Sequence, residues 1–215
     1  MPDGLALAVG GLAAANIVLG ASLAPSLLRR GAPFVPIAGQ KLAALFGPRG
    51  LLRPGGPGSL LDARAARHRA PTLIDLGAGE GRVLRAATRA GFGRAIGYEV
   101  NPALVAMCRA RAAPNEVCEW RSLWDAGLGD ADVVTVYGCP PIMDRLGAKL
   151  RAELRAGALV CSNAYALPDG ALGPPVAELY VETGRWAADA SSMLLFYRAG
   201  NEGAGGASRP ECSRH

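Results

Sequence analysis

Short apolar runs alternate with amphipathic stretches from residue 72 onwards. Runs such as "TLIDL" and "ADVVTVY" are typical of strands that are buried on both faces, and the stretches between them repeat with the period of a helix. A strand followed by a helix, repeated at this spacing, predicts an α/β fold. Its sheet should be mainly parallel, with helices on both faces.

The predicted elements follow from the same pattern. Strands are expected at Thr72–Leu76, Arg94–Glu99, Glu116–Arg121, Ala131–Tyr137 and Ala158–Ser162. Helices are expected at Gly81–Ala90, at Pro102–Ala112 with Asn101 as the N-cap, and at Pro141–Leu154. The last apolar stretches, Val176–Glu182 and Ser192–Arg198, have no long helix between them, so they should pair antiparallel.

The N-terminal segment has a different pattern. No residue from Gly4 to Leu28 is charged, and the run is long enough to cross a hydrocarbon core of roughly 30 Å as a helix. Arg29 and Arg30 follow it directly. We therefore expect a membrane anchor in residues 1–32, with the rest of the chain on the arginine side. A buried Ala-rich helix and a processed targeting segment are the alternatives.

Residues 33–70 connect this segment to the repeating pattern. Gln40–Phe46 is predicted to be a short amphipathic helix, and "GPRGLLRPGGPG" a linker or turn. Residues 59–68 have a helical pattern with Ser59 as a plausible N-cap. At the other end, residues 200–215 form a polar tail that we expect to be disordered.

Composition narrows the function classes. The 215 residues provide one domain plus an appendage, and a net charge of +5 suits an anionic membrane face or an acidic partner. We expect no nucleic-acid partner, because the chain has no dense Lys/Arg block. The five cysteines form no CxxC pair and no cluster with the two histidines, so we expect neither a disulfide framework nor a metal site.

Candidate chemistry is concentrated in the loop after the first strand. The loop reads Asp75-x-Gly77-x-Gly79-x-Gly81, and a second acid, Glu99, ends the next strand. Glycines let the backbone approach a ligand, and Glu99 can accept ribose hydroxyls. The spacing differs from G-x-G-x-x-G, and a carboxylate at Asp75 would repel a pyrophosphate but suit a ligand that bears an ammonium and a sulfonium. A nicotinamide- or FAD-binding Rossmann domain is the alternative.

This loop resembles motif I of the class I S-adenosylmethionine-dependent methyltransferases. Further stretches, "PFVP", "GYEVNPALVAMCRARA" and "SLWDAGLGDADVVTVYGCPPIMDRLGAKLRAEL", resemble the membrane-anchored protein lysine methyltransferases of mitochondria, which act on the ATP synthase c-subunit or the adenine nucleotide translocase. The resemblance implies a Rossmann-like class I methyltransferase domain at residues 71–199. Its sheet should be mainly parallel with an antiparallel terminal strand pair, and one N-terminal transmembrane helix should precede it.

The resemblance also implies a cofactor and its site. S-adenosyl-L-methionine should be bound by Asp75, Gly77, Gly79, Gly81, Glu99 and Ser122. At Ser122 the family usually carries an aspartate that meets the adenine amino group, and an arginine of the family after the fifth strand is replaced here by Asn163. Trp120 and Trp124 are candidates either for the adenine site or for the core, and Arg82 is expected on the exposed face of its helix.

The acceptor should bind at "YGCPPI", where the fourth strand ends. Tyr137, Pro140 and Pro141 are the candidate catalytic residues, because two prolines remove two amide donors and leave carbonyls and the Tyr137 hydroxyl towards the pocket. The alternative is that the prolines only turn the chain and open a helix. Residues 33–70 are expected to contribute a substrate lid through Phe34–Pro36. The alternative is that Phe34–Pro36 is an ordinary linker packed on the surface.

The resemblance predicts a membrane-protein substrate of the c-subunit or adenine nucleotide carrier type. It predicts a single-pass protein of the mitochondrial inner membrane with its catalytic domain on the matrix side, or, in a bacterium, of the inner membrane with the domain on the cytoplasmic side. Two other functions remain open at this point. One is methylation of a small molecule or lipid, and the other is a non-catalytic role as an assembly factor.

Overall fold

A seven-stranded sheet is the centre of the computed structural model, which describes residues 34–61, 69–183 and 193–200. In chain order the strands are β1 Thr72–Leu76, β2 Arg94–Glu99, β3 Glu116–Trp120, β4 Val133–Val136, β5 Leu159–Asn163, β6 Ala177–Tyr180 and β7 Met193–Arg198. The α-helices of the described part are α1 Gly39–Phe46, α2 Arg82–Ala90, α3 Pro102–Arg109 and α4 Pro140–Glu153, and a 3₁₀ turn spans Leu123–Asp125.

The strand order across the sheet is β3-β2-β1-β4-β5-β7-β6. The first five strands pair in parallel, while β7 lies antiparallel between β5 and β6. This confirms the predicted parallel sheet and its antiparallel terminal pair. From β1 the strand order runs to one side of the sheet through β2 and β3, and with β4 it switches to the other side. In open α/β sheets such a switch point opens a crevice for ligands at the carboxyl ends of the strands.

The element bounds differ from the predicted ones at several ends. The fourth strand is Val133–Val136 rather than Ala131–Tyr137, because Ala131 donates its amide within a turn, to the Leu128 carbonyl. The helix α3 ends at Arg109 instead of Ala112, where i→i+3 bonds tighten its last turn. Asn101 is its N-cap as predicted, since its side chain accepts from the amide of Ala103.

Both faces of the sheet are covered, as a parallel sheet requires. One core packs α1, α2 and α3 against strand residues such as Leu73 and Val133. The other packs α4 against neighbouring strand residues such as Ile74 and Val134. The period of two along each strand sends successive side chains to opposite cores.

The segment before β1 is part of the first core. The rings of Phe46 on α1 and Phe92 meet edge to face at 6.1 Å, and Leu52 is fully buried. The predicted linker after α1 therefore consists of turns, but it packs on the domain. Ser59 Oγ accepts from the amide of Leu61, as an N-cap would, although residues 60 and 61 are not helical. The rest of the helix predicted at 59–68 lies outside the described residues.

In the part of the chain that the structure describes, none of the helices combines the length and the apolar character needed to span a bilayer. The predicted anchor, residues 1–32, and residues 201–215 of the predicted tail lie outside the described residues.

Candidate cofactor and acceptor site

The glycine loop joins β1 to α2. Its glycines Gly77, Gly79 and Gly81 have φ values of +94°, +54° and +82°, a region that residues with a Cβ rarely adopt. A Cβ on Gly79 would lie 2.5 Å from Cε2 of Phe34, and one on Gly81 would lie 2.4 Å from Sγ of Cys108. The loop therefore needs glycine both for its backbone conformation and for close packing.

Glu99 holds this loop in place. Its Oε2 accepts the Gly79 amide at 2.9 Å, and its Oε1 accepts the amides of Val100 and Asn101, each at 2.8 Å. An ionised carboxylate offers about four acceptor positions, so about one remains for a ligand. Glu99 therefore orders the protein backbone as well, and the prediction that it accepts ribose hydroxyls stays a prediction.

Asn101 supplies a group that the sequence analysis assigned only to helix capping. Its Oδ1 caps α3, while its buried Nδ2 has no hydrogen-bond partner among the described residues. The residue lines the same cavity as Glu99. A buried donor without a partner is costly, and a ligand oxygen in the cavity would satisfy it.

Asp75 is the buried acid at the start of the loop. Its side chain is 6% exposed, and its Oδ1 accepts a hydrogen bond of 2.7 Å from the Thr135 hydroxyl. Burial raises its pKa from 3.8 to about 7; the Thr135 hydrogen bond opposes this shift and the charge of Glu99 adds to it. Two acids that interact electrostatically thus line one site, and a cation there would be stabilised.

A cavity of about 450 Å³ lies over the carboxyl ends of the parallel strands. Most of the predicted site residues line it, namely Asp75, Gly77, Gly79, Glu99, Ser122 and Tyr137. Gly81 is not in the wall; it is the N-cap of α2 and packs against Cys108. Phe34, Val35 and Pro36 also line the cavity, with the Phe34 ring close to Gly79.

Pro140 and Pro141 lie elsewhere than expected. They form the exposed first turn of α4 and are not part of the cavity wall, where Tyr137 and Ile142 lie instead. Proline suits this position because the first amides of a helix have no intrahelical acceptor. The structure therefore supports the alternative, that the prolines open a helix, and a direct role for them at the acceptor stays a prediction.

The two tryptophans separate in the structure. Trp120 is 64% exposed and donates its Nε1 hydrogen to the Val100 carbonyl, so it belongs to neither the core nor the cavity. Trp124 lines the cavity, and the guanidinium carbon of Arg145 lies 3.9 Å from the centre of one of its rings. Ser122 accepts the Trp124 amide and so caps the 3₁₀ turn that carries this tryptophan.

Two cationic side chains near the cavity were missed by the sequence analysis. Arg82 was expected on the exposed face of its helix, but it is only partly exposed and lines the cavity. Lys41 on α1 is completely buried, and its Nζ donates to Oδ1 of Asn163 on β5 at 2.6 Å. A lone lysine in an amphipathic helix normally lies at the surface, so the sequence carried no signal for its position.

Known proteins match much of the chain. A sequence profile described as the ANTKMT methyltransferase domain matches residues 75–172. The adenine nucleotide translocase lysine N-methyltransferase of Mus musculus is 40% identical over 129 residues, which cover 57% of this chain and 55% of that protein.

Two further relatives are named as lysine N-methyltransferases of the ATP synthase c-subunit. The protein of Rattus norvegicus is 30% identical over 158 residues, or 68% of this chain and 62% of the relative. The protein of Xenopus laevis is 30% identical over 171 residues, or 74% of this chain and 69% of the relative. The chain thus spans between about half and about two thirds of the length of these curated relatives.

A solved structure is similar as well. The crystal structure of an RNA methyltransferase from Salinibacter ruber in complex with S-adenosyl-L-homocysteine matches with a TM-score of 0.54 and 26% sequence identity. The match covers 61% of this chain and 82% of that one.

Proposed function

Because this chain belongs to the family of lysine N-methyltransferases named for the adenine nucleotide translocase and the ATP synthase c-subunit, we propose that it transfers methyl groups from S-adenosyl-L-methionine to a lysine of a membrane protein. The strand order and the likeness to the Salinibacter ruber enzyme identify the class I methyltransferase fold. That fold sets aside the nicotinamide and FAD alternatives for the glycine loop.

The observation that carries the proposal is the buried carboxylate of Asp75 inside the cavity. Its pKa of about 7 reflects a site in which an ionised acid has no cationic partner among the groups that determine this shift. A pyrophosphate would add negative charge beside Asp75 and Glu99, whereas a cationic ligand would neutralise it. The Nδ2 of Asn101, which has no partner among the residues that the structure describes, adds a donor for a ligand oxygen.

The residues of the wall divide by their chemistry. Asp75 would hold the cationic part of the cofactor, Glu99 and Asn101 the ribose, and the turn at Ser122 and Leu123 the adenine. When bound, S-adenosyl-L-methionine supplies an electrophilic methyl group. Because that group is already activated, the protein has mainly to align the acceptor and exclude water.

We assign the acceptor end to the part of the cavity that is lined by Tyr137, Ile142 and Asn163. Phe34 adds an aromatic wall on the side of the glycine loop. The aromatic and aliphatic surfaces of Phe34, Tyr137 and Ile142 suit the aliphatic stem of a lysine and disfavour its charged head. A lysine must lose a proton before it is nucleophilic, and such a lining assists that loss without a dedicated base.

The substrate and the location are part of the same proposal. The relatives are named for the ATP synthase c-subunit and the adenine nucleotide translocase, so we propose an acceptor lysine in a protein of that type. Residues 1–32 would anchor the chain in the mitochondrial inner membrane, or in the inner membrane of a bacterium, with the domain on the matrix or cytoplasmic side. Phe34–Pro36 would then act as a lid between the anchor and the site.

Two experiments test the proposal. In isothermal titration the purified protein should bind S-adenosyl-L-homocysteine, whereas tighter binding of NADH would contradict the cofactor assignment.

Mass spectrometry of membrane proteins from cells with and without the protein should reveal a lysine whose methylation is lost on deletion. If a methylated lipid or metabolite disappears instead, the enzyme acts on a small molecule. If the cofactor binds but no methylation changes, the non-catalytic role is supported.

A further inference from the structure

Lys41 is a buried lysine that the proposed chemistry has not yet used. Its side chain is 0% exposed, and its Nζ donates to Asn163 Oδ1 at 2.6 Å, linking α1 to β5 across 122 positions of the chain. Lysine is almost never fully buried unless it is paired, because removing its charge from water is expensive. A hydrogen bond at this point in the protein therefore suggests a function beyond packing.

The surroundings place this amine behind the acceptor end of the cavity. Leu45, four positions after Lys41 on α1, lines the cavity, and so do Asn163 and Ile37, which precedes the helix. Residues four apart lie on one face of a helix. The Nζ atom also lies 6.0 Å from the centre of the Tyr137 ring, which lines the same wall.

The titratable groups around Lys41 come from several elements. Tyr137, which follows β4, lies near its amine. Cys161 on β5 interacts electrostatically both with Lys41 and with Asp75 of β1. Burial raises the pKa of Cys161 to about 12, so its thiol stays neutral. The proposed cofactor would engage Asp75. Helix α1 itself carries no other charged residue, and Leu194 of β7 adds only apolar surface.

We propose that Lys41 is a positioning residue for the methyl acceptor: through Asn163 it fixes the acceptor end of the cavity, and its positive charge favours entry of the incoming lysine as a neutral amine. This inference rests on the proposed function and specifies how the site prepares its substrate. An acceptor amine beside the Tyr137 ring would lie roughly 6 Å from Lys41 Nζ. Two unit charges at that separation, at an effective dielectric constant near 20, shift a protonation equilibrium by about 2 pH units. With partial screening, an effect of about 1 to 2 units is expected.

The test compares pH profiles. The chain contains two lysines, Lys41 and Lys149, so a substitution of Lys149 is the matched control for the same substitution of Lys41. Lys149 is mostly buried too, but it binds Glu153 and the carbonyls of Trp124 and Ala126. Initial methylation rates are measured on the detergent-solubilised c-subunit of an ATP synthase or on an adenine nucleotide translocase, whichever the wild type modifies.

In Lys41→Met the acidic limb of kcat/KM should move to higher pH by about 1 to 2 units, while affinity for S-adenosyl-L-homocysteine stays within about threefold of wild type. Lys149→Met should keep the wild-type pH profile. Asn163→Asp retains the lysine but neutralises its charge, so its profile should shift in the same direction. The double variant K41Q/N163K moves the cation across the same hydrogen bond and should restore the wild-type profile.

Each outcome is decisive. If Lys41→Met binds S-adenosyl-L-homocysteine and retains both the rate and the pH profile, the inference is overturned while the proposed function stands. If Lys41→Met does not fold, Asn163→Asp decides, and an unshifted profile in that variant overturns the inference. A wild type that binds the cofactor but methylates neither probe overturns the lysine specificity and this inference with it.

Discussion

Replacing Asp75 with asparagine should stabilise the protein and remove its affinity for the cofactor. The pKa of Asp75 is raised from 3.8 to about 7 chiefly by burial, and its side chain is almost fully enclosed. An ionised carboxylate in this environment costs free energy until a cation pairs with it. Asparagine has the same shape and keeps an oxygen that can accept from Thr135, so the change removes mainly the charge.

The magnitude follows from proton linkage. Between pH 3.8 and about 7 the folded protein holds a proton on Asp75 that the unfolded chain has lost. The stabilisation from this proton is complete below the lower pKa and is lost as the pH rises through the upper one. Each unit of difference between the pKa values of the folded and the unfolded state corresponds to about 1.4 kcal/mol of stability. The free energy of unfolding of the wild type should therefore fall by about 3 kcal/mol between pH 5 and pH 8 through this group alone.

Urea denaturation at pH 5, 6, 7 and 8 measures this effect. The difference in stability between Asp75→Asn and wild type should grow with pH by about 3 kcal/mol and level off above pH 7. Asp169→Asn, which neutralises an exposed carboxyl, is the matched control and should follow the wild-type curve. Parallel curves for wild type and Asp75→Asn would refute the argument that burial holds a proton on this acid.

Four further outcomes are expected. Affinity for S-adenosyl-L-methionine should rise about fivefold from pH 6 to pH 7 and about twofold more by pH 8, because a cation requires ionised Asp75. Proton release should be detectable by titration in buffers of different ionisation enthalpy, and a pH-independent affinity would contradict this. Glu99→Ala should lose about 2–4 kcal/mol of cofactor binding by calorimetry, since three backbone amides lose their acceptor, and Glu99→Gln should lose less. Gly79→Ala should weaken binding about tenfold or more through its positive φ and its contact with Phe34, and adding Phe34→Ala should recover only the steric part. Carbonate extraction should leave the full chain in the membrane pellet and release a chain that lacks residues 1–32 if that segment is an anchor.

Much of the fold could be predicted because it follows from short-range patterns. The alternation of apolar runs with helical stretches located the strands and the helices α2, α3 and α4 that the structure describes. The amphipathic pattern of Gln40–Phe46 located α1. Asn101 could be recognised as a cap because capping needs only a short polar side chain at a helix start, and the proline that follows favours the first helical position. Element ends were less accurate, as at Ala131, because they depend on hydrogen bonds between neighbouring strands and turns.

The residues proposed to bind the cofactor could also be predicted from the sequence. Asp75, Gly77, Gly79 and Glu99 lie near the ends of adjacent strands, and parallel strands bring such ends together at one edge. The sequence could not show that Glu99 uses its oxygens on backbone amides, because those contacts arise only once the loop is folded against β2.

The sequence by itself determined the class of fold and the edge of the sheet at which the candidate site lies, because both depend on the periodicity and spacing of neighbouring residues. Only the tertiary structure decided which side chains reach the cavity. Lys41 is buried and donates to the side-chain amide of Asn163, 122 positions away. Arg82 lines the cavity, whereas Pro140 and Pro141 do not. Burial and charge environment are properties of packed elements, and a linear pattern does not contain the distances that set them.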